Sequence, residues 1–218
     1  MTILAQLERR IFDELKNTAS TAVRDAVLSA VDYYKATKFW FNEGVATFTA
    51  STSLGAYTIS TVIDAAFRIP GGATSSREML VIDEVAISLN NRRYRLTRMP
   101  WKSFVDLDPS LVFGFPSNYS IHHGVLFMYP TPSQTFTCEV SGIWHFTLSA
   151  CASASNVWTN EGAELIRAHA KYEFALNYIQ DPESANRYAT FEELAIRRLI
   201  RESALREGGL GEDILAYF

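Results

Sequence analysis

The hydrophobic periodicity of this chain changes twice along its length, and this layout constrains the fold more than any other feature. A four-residue step between apolar side chains indicates an amphipathic helix, and a two-residue step indicates a half-buried strand. The helical spacing occurs near both ends, within residues 3–15 and 161–205. Its apolar positions include Ile3, Leu7, Ile11 and Leu15 at the start, and Phe191, Leu194 and Leu199 near the end. The residues between them largely alternate or break at Gly, Pro and Asn, which indicates strands and turns.

The helical ends predict one bundle, because amphipathic helices must bury their apolar stripes against another element. A second helix is expected from Ser20 to about Phe41, and the last one from Pro182 to Arg206. We therefore predict an α+β fold, in which N- and C-terminal helices form a bundle with an inserted antiparallel, β-sandwich-like lobe. The expected divisions are residues 1–43 (first helices), 44–148 (β-rich lobe), 149–207 (last helices) and 208–218 (an extended tail).

Two turns in the middle of the chain carry the clearest signals for strand pairing. Asn90-Asn91 and His122-His123-Gly124 each lie between two runs of β-forming residues. Asn and Gly accept the positive φ that a tight hairpin turn requires. Both segments therefore predict antiparallel hairpins, the first with its return strand at Tyr94–Arg98.

Composition argues against several functional classes. The 218 residues carry 20 Lys and Arg against 24 Asp and Glu, so the net charge of −4 provides no basic surface for sequence-independent DNA binding. The two cysteines, Cys138 and Cys151, form neither a disulfide framework nor a zinc motif and are expected to be reduced and buried. No apolar run approaches the ~18 residues of a membrane span. Charges within the stripe of Met1–Leu15 favour an amphipathic helix over a signal peptide, which predicts synthesis in the cytoplasm.

The sequence lacks the short motifs that identify common enzymes, including a Gly-rich phosphate loop, GxSxG, HExxH and an EF-hand string. His122 and His123 are adjacent, and adjacent side chains on a strand point to opposite faces, so they are poorly placed to share a metal. We expect no catalytic, cofactor-binding or metal-binding residues and no cofactor. A hydrolase that uses Asp106 or Asp108 is the enzymatic alternative.

The end of the sequence is apolar and follows a glycine-rich stop. After Gly208-Gly209 and Gly211 it carries Ile214, Leu215, Tyr217 and Phe218. Such a segment is usually docked on its own domain or donated to a neighbour. These four residues are the candidate contact site.

Several segments between residues 20 and 206 resemble the head-to-tail adaptor (connector) proteins of tailed bacteriophages, in particular the tail tubular protein A-like, portal-bound adaptors of short-tailed phages. The segments are Asp32-Tyr33-Tyr34 with Phe39-Trp40-Phe41, the hairpin from Val85 to Leu96, Met99-Pro100-Trp101, Gly114-Phe115-Pro116-Ser117-Asn118-Tyr119, Phe127-Met128-Tyr129-Pro130-Thr131-Pro132, and Trp158 followed by Glu164-Leu165-Ile166.

The resemblance implies a structural virion protein that is not an enzyme. Such adaptors form a homo-oligomeric ring beneath the portal, typically a dodecamer of twelve copies. The helices would contact the portal protein, the β lobe would face a tail or nozzle protein, and DNA would pass through the lumen without specific binding. The resemblance also suggests Ile214, Leu215, Tyr217 and Phe218 as contacts to the portal or a neighbouring subunit. The adaptor hypothesis includes no membrane partner.

Other functional interpretations of the sequence remain open. The same fold and the same lack of catalytic motifs would suit a different tail-completion protein or the connector of a gene-transfer particle. A non-viral carbohydrate- or peptide-binding β domain, with Trp101, Trp144 and Tyr129 as its platform, is a further alternative. By residue type, the candidate interface anchors are Phe39, Trp40, Trp101, Trp144 and Phe218. For the first four, burial in the subunit's own core is the favoured interpretation.

Overall fold

A computed structural model describes residues 3–15, 20–63, 77–107, 112–146 and 157–206. The chain divides into two compact units, a helical unit of Met1–Asn42 with Phe146–Phe218 and a β-rich unit of Glu43–His145. Terminal helices and a β-rich middle confirm the predicted α+β class. Asp108, Cys151, the residues 149–156 and the tail 208–218, including its four candidate contacts, lie outside the described residues.

The helices and strands follow the hydrophobic periodicity of the sequence. The α-helices are α1 (Ile3–Leu15), α2 (Ser20–Tyr34), α3 (Trp101–Val105), α4 (Val157–Asn160), α5 (Ala163–Phe174) and α6 (Pro182–Arg206), and two π-helical segments cover Ile59–Ile63 and Ala175–Ile179. The strands are β1 (Glu43–Ala50), β2 (Ala56–Thr58), β3 (Arg77–Leu89), β4 (Arg92–Arg95), β5 (Thr97–Arg98), β6 (Phe113–Gly114), β7 (Asn118–His122), β8 (Val125–Tyr129), β9 (Thr131–Pro132) and β10 (Phe136–Phe146). Within the described part of the chain, no helix combines the length and apolarity needed to cross a bilayer.

In the helical unit, α5 packs against both α2 and α6, while α1 contacts α2 and α5. The stripe of α1 is buried as its spacing predicts, with Leu7, Ile11 and Leu15 inside. The last helix differs, because the buried residues of α6 are Ala185, Leu199 and Ser203. Its predicted stripe is therefore only partly covered.

The second helix is shorter than the sequence predicts, since it ends at Tyr34 and not near Phe41. Asn42 explains the difference. Its buried side chain accepts a hydrogen bond from the Phe39 amide (2.8 Å) and donates one to the Thr37 carbonyl (2.7 Å), so it replaces helical bonds with a compact turn. Phe39 and Phe41 then pack edge-on against the buried Trp158.

The β-rich unit contains two four-stranded sheets, with strand orders β1-β10-β3-β4 and β2-β8-β7-β5, and a small β6-β9 pair. The β1-β10, β2-β8, β3-β4 and β7-β8 pairs are antiparallel, whereas β5-β7 and β6-β9 are parallel. Both predicted hairpins are confirmed, and Asn90 and Asn91 have φ of 51° and 59°. At Gly142 in β10, an added Cβ would lie 1.9 Å from the Val81 carbonyl oxygen, so the close approach to β3 requires glycine.

The predicted return strand Tyr94–Arg98 is divided at Leu96. Its first half, β4, pairs with β3, whereas its second half, β5, pairs with β7 in the other sheet. The Leu96 amide still donates to the Val85 carbonyl at 2.8 Å. The chain therefore changes sheets here, which a local pattern of alternation does not reveal.

Candidate docking groove

The helical unit carries a concave surface between α1, α5 and α6, which we name the helical groove. Its volume is about 680 Å³. It is lined by Asp13, Glu14, Glu164, Arg167, Ala168, Lys171, Arg187, Tyr188, Phe191, Leu194, Ala195 and Arg198. All three helices supply residues, so the groove depends on the packing of the unit and not on one segment.

Two large apolar side chains of α6 form the exposed part of this groove. Phe191 is 52% exposed and Leu194 is 59% exposed. The sequence predicted one buried apolar stripe that contains Phe191, Leu194 and Leu199. Within the described structure, only Leu199 of these three is buried. An exposed apolar stripe in a concave surface is typical of a protein interaction site.

Charged side chains surround the apolar residues of the groove. Arg198 contacts Glu164 at 2.8 Å, and the Lys171 ammonium contacts the Glu14 carboxylate. Burial, together with the nearby Arg187 guanidinium, lowers the pKa of Lys171. The groove thus combines an apolar centre with charges of both signs, which favours recognition of a structured protein surface over a small apolar ligand.

A buried polar cluster holds α6 in place behind the groove. Oε1 of Glu192 accepts a hydrogen bond from the Tyr34 hydroxyl and lies 2.8 Å from Nδ1 of His169. An ionised carboxylate only accepts, so Nδ1 of His169 carries the shared proton. Burial would raise the pKa of Glu192, but the bonds to His169 and Tyr34 outweigh it and the pKa lies below its ordinary value. Burial and the bond to Glu192 raise the pKa of Tyr34.

The tyrosine–glutamate–histidine cluster was not identified from the sequence. Its members come from three helices, α2, α5 and α6, and are far apart along the chain. No local spacing connects Tyr34, His169 and Glu192, so only the packing of the helices brings them together.

The sequence-predicted anchors differ in exposure. Phe39 and Trp144 are fully buried, so they belong to the cores of their units. Trp40 is half-buried, and the Arg206 guanidinium lies over the Trp40 ring, 3.6 Å from the ring centre. Trp101 is half-buried and stacks on His122. Because Trp144 is buried, the alternative platform of Trp101, Trp144 and Tyr129 does not form an exposed surface.

Among the residues that the structure describes, those considered for chemistry are not assembled into a site. Asp106 is exposed just after α3, and His122 and His123 lie at the β7-β8 turn. In the described ranges, no group of three or more His, Cys, Asp or Glu side chains suits a metal ion. No protein-family model matches the chain, and a search of curated proteins finds no significant match.

Proposed function

We propose that this chain is the head-to-tail adaptor subunit of a tailed bacteriophage. Copies of it form a homo-oligomeric ring between the portal and the tail, and DNA passes through the lumen. The protein is a structural component of the virion and not an enzyme. The observation that carries the proposal is the helical groove, in which Phe191 and Leu194 are exposed on a surface built by three helices.

The energetics of the groove support an assembly subunit. Fully burying a Leu or Phe side chain gains about 1.5–3 kcal/mol, so covering these two half-exposed residues gains about 1.5–3 kcal/mol in total. That gain is available only when a partner covers the groove. The motifs between residues 20 and 206 resemble those of phage adaptors. This resemblance suggests the portal protein or a neighbouring copy as the partner.

Each of the two units has its own role in the ring. The helical unit contacts the portal protein and neighbouring copies, because the groove lies on it. The β-rich unit contacts the tail or nozzle protein. A net charge of −4 suits a channel that does not retain DNA, since a strongly basic lumen would bind the phosphate backbone.

Native mass spectrometry of the full chain tests the proposal, alone and with the portal protein encoded in the same genome. We expect a closed oligomer of one defined stoichiometry, formed by the chain alone or after the portal ring is added. Leu194→Asp should abolish this assembly. Leu205→Asp is the matched control, because Leu205 is 58% exposed on the same helix but does not line the groove. A monomer that ignores the portal, or a genome without a portal gene, would refute the proposal.

A further inference from the structure

An exposed stripe on α2 carries an apolar residue between two carboxylates. Its members are Thr21, Asp25, Leu28 and Asp32, which follow one another at spacings of four, three and four residues. Residues at these spacings lie on one face of a helix. All four are exposed, and Leu28 is 40% exposed. We name this stripe the α2 ridge; none of its four residues lines the helical groove.

The α6 wall of the helical groove repeats this spacing with charges of the opposite sign. Its exposed residues, again four, three and four residues apart, are Arg187, Phe191, Leu194 and Arg198. Two apolar side chains thus lie between two guanidinium groups. Opposite charges attract each other, and apolar surfaces gain free energy when they leave water together. The α2 ridge and this wall are therefore complementary in both charge and hydrophobicity.

One charge on each surface has no ion pair among the residues that the structure describes. Arg187 is exposed with its guanidinium over the Tyr188 ring, whereas the other cations of the groove contact carboxylates. On the ridge, Asp32 contacts Lys35 at 2.6 Å, while Asp25 is exposed and makes no such contact in the described part of the chain. Asp25 and Arg187 can therefore pair without breaking an existing ion pair.

The directions of the helices suit a contact between copies related by rotation. Within the unit, α2 and α6 each run antiparallel to α5, since the contacting positions rise in one helix as they fall in the other. These contacts are Ser29–Glu173 and Tyr34–His169 for α2, and Glu192–His169 and Arg198–Glu164 for α6. α2 and α6 therefore run in the same direction. Rotation about an axis along the helices preserves that direction, so α2 of one copy meets α6 of the next in parallel.

A parallel contact brings the charged and the apolar residues together in one register. At 1.5 Å of rise per residue, Leu28 lies about 4.5 Å beyond Asp25. Phe191 lies about 6 Å beyond Arg187. When Asp25 lies beside Arg187, Leu28 is therefore nearly level with Phe191. Pairing of the charges and burial of the apolar side chains require the same register.

We propose that the α2 ridge of one copy docks into the helical groove of the next copy. The carboxylate of Asp25 pairs with the guanidinium of Arg187, and Leu28 packs against Phe191. This inference rests on the proposed function, because the ring supplies the second copy. A ring of more than two copies joins two different surfaces of each subunit. Since α5 packs against both α2 and α6, the ridge and the groove lie on different helices and each copy can use both at once.

Charge reversal in the full chain tests this contact. The dissociation constant of the oligomer is measured by analytical ultracentrifugation under the condition, alone or with the portal ring, in which the wild-type chain assembles. Asp25→Arg and Arg187→Asp should each weaken assembly by about tenfold or more, because each places like charges together. The double variant Asp25→Arg/Arg187→Asp should restore assembly, because it re-forms the pair with the signs exchanged. A folding defect would not be repaired in this way.

A third variant and two controls complete the test. Leu28→Asp should abolish assembly, because it places a carboxylate against the apolar residues of the groove. Asp106→Arg and Arg201→Asp are matched charge reversals at exposed residues outside both surfaces and should leave assembly unchanged.

The outcomes separate this contact from the ring itself. An oligomer that withstands all three single substitutions, or that the double variant does not restore, would overturn the contact and leave the ring intact. An oligomer that is lost on removal of residues 208–218 but not in Asp25→Arg would assign the groove to that segment and also overturn the contact. Failure of the wild-type chain to assemble, with or without the portal, would refute the proposed function and this contact together.

Discussion

Glu192→Gln is the sharpest test of how the helical unit is held together. The substitution keeps the size of the side chain and removes its charge. In the native unit, Glu192 accepts bonds from Tyr34 and His169, and its side chain is only 16% exposed. Both interactions should persist as neutral hydrogen bonds in the variant, so the measured loss reports the charge itself.

The magnitude follows from the two bonds. Hydrogen bonds to a charged group contribute about 1.5–3 kcal/mol and neutral ones about 0.5–1.5 kcal/mol. Converting both lowers the free energy of unfolding by about 2–3 kcal/mol, and the smaller burial cost of the neutral amide offsets part of this loss, which leaves a net loss of about 2 kcal/mol. For a chain of this size, each kcal/mol corresponds to about 2–4 °C, so Tm should fall by about 4–8 °C.

The effect should depend on pH in a defined direction. The native pKa of Glu192 lies below its ordinary value of 4.5. A carboxyl group with a lowered native pKa stabilises the fold fully above the unfolded pKa, and that contribution disappears as pH falls through the native pKa. The difference between wild type and Glu192→Gln should therefore be full at neutral pH and shrink as pH falls below about 4.5.

Urea unfolding followed by far-ultraviolet circular dichroism measures this difference at equal protein concentrations. Glu193→Gln is the matched control, because Glu193 is the next residue and forms an exposed pair with Arg197 that contributes about 0.3–0.5 kcal/mol. If the two variants unfold alike at neutral pH, or if the gap for Glu192→Gln stays constant into the acid range, the inference about the cluster is wrong.

Three further outcomes are expected. Gly142→Ala should destabilise the β-rich unit by about 3 kcal/mol in urea unfolding, because its Cβ would overlap the Val81 carbonyl; a change within experimental error would contradict the close approach. Asn42→Ala should cost about 2–3 kcal/mol in the same assay, since the buried Phe39 amide and the part-buried Thr37 carbonyl lose their partner; a neutral effect would mean that the turn does not depend on this side chain. Cys138 should resist iodoacetamide until the protein unfolds, because burial raises its pKa to about 12; rapid modification in the native protein, located by peptide mass spectrometry, would argue against its burial.

The sequence predicted those elements whose signals are local. The bounds of α6 follow from Pro182 at its start, and those of α1 from its four-residue step. Asn90-Asn91 predicted the β3-β4 turn because the turn needs two consecutive residues with positive φ. In each case the determining residues lie within the element or next to it.

The features that the sequence did not predict depend on contacts between distant segments. The end of α2 is set by the side chain of Asn42, which competes with the helix for backbone groups. The break at Leu96 arises because β5 finds its partner in β7. For the groove, the pattern identified Phe191 and Leu194 as one apolar stripe, but a pattern does not show whether another element covers it.

The polar cluster and the groove occupy neighbouring faces of the same helix, and this links stability to assembly. Glu192 holds α6 against α2 and α5, while Phe191 and Leu194 on either side of it are exposed in the groove. Loosening the cluster should therefore weaken both the fold and the proposed oligomer. Leu194→Asp, in contrast, changes an exposed residue and should weaken the oligomer while leaving subunit unfolding within about 0.5 kcal/mol of wild type. If Leu194→Asp lowered stability as much as Glu192→Gln does, Leu194 would be part of the core and the groove would not be a docking surface.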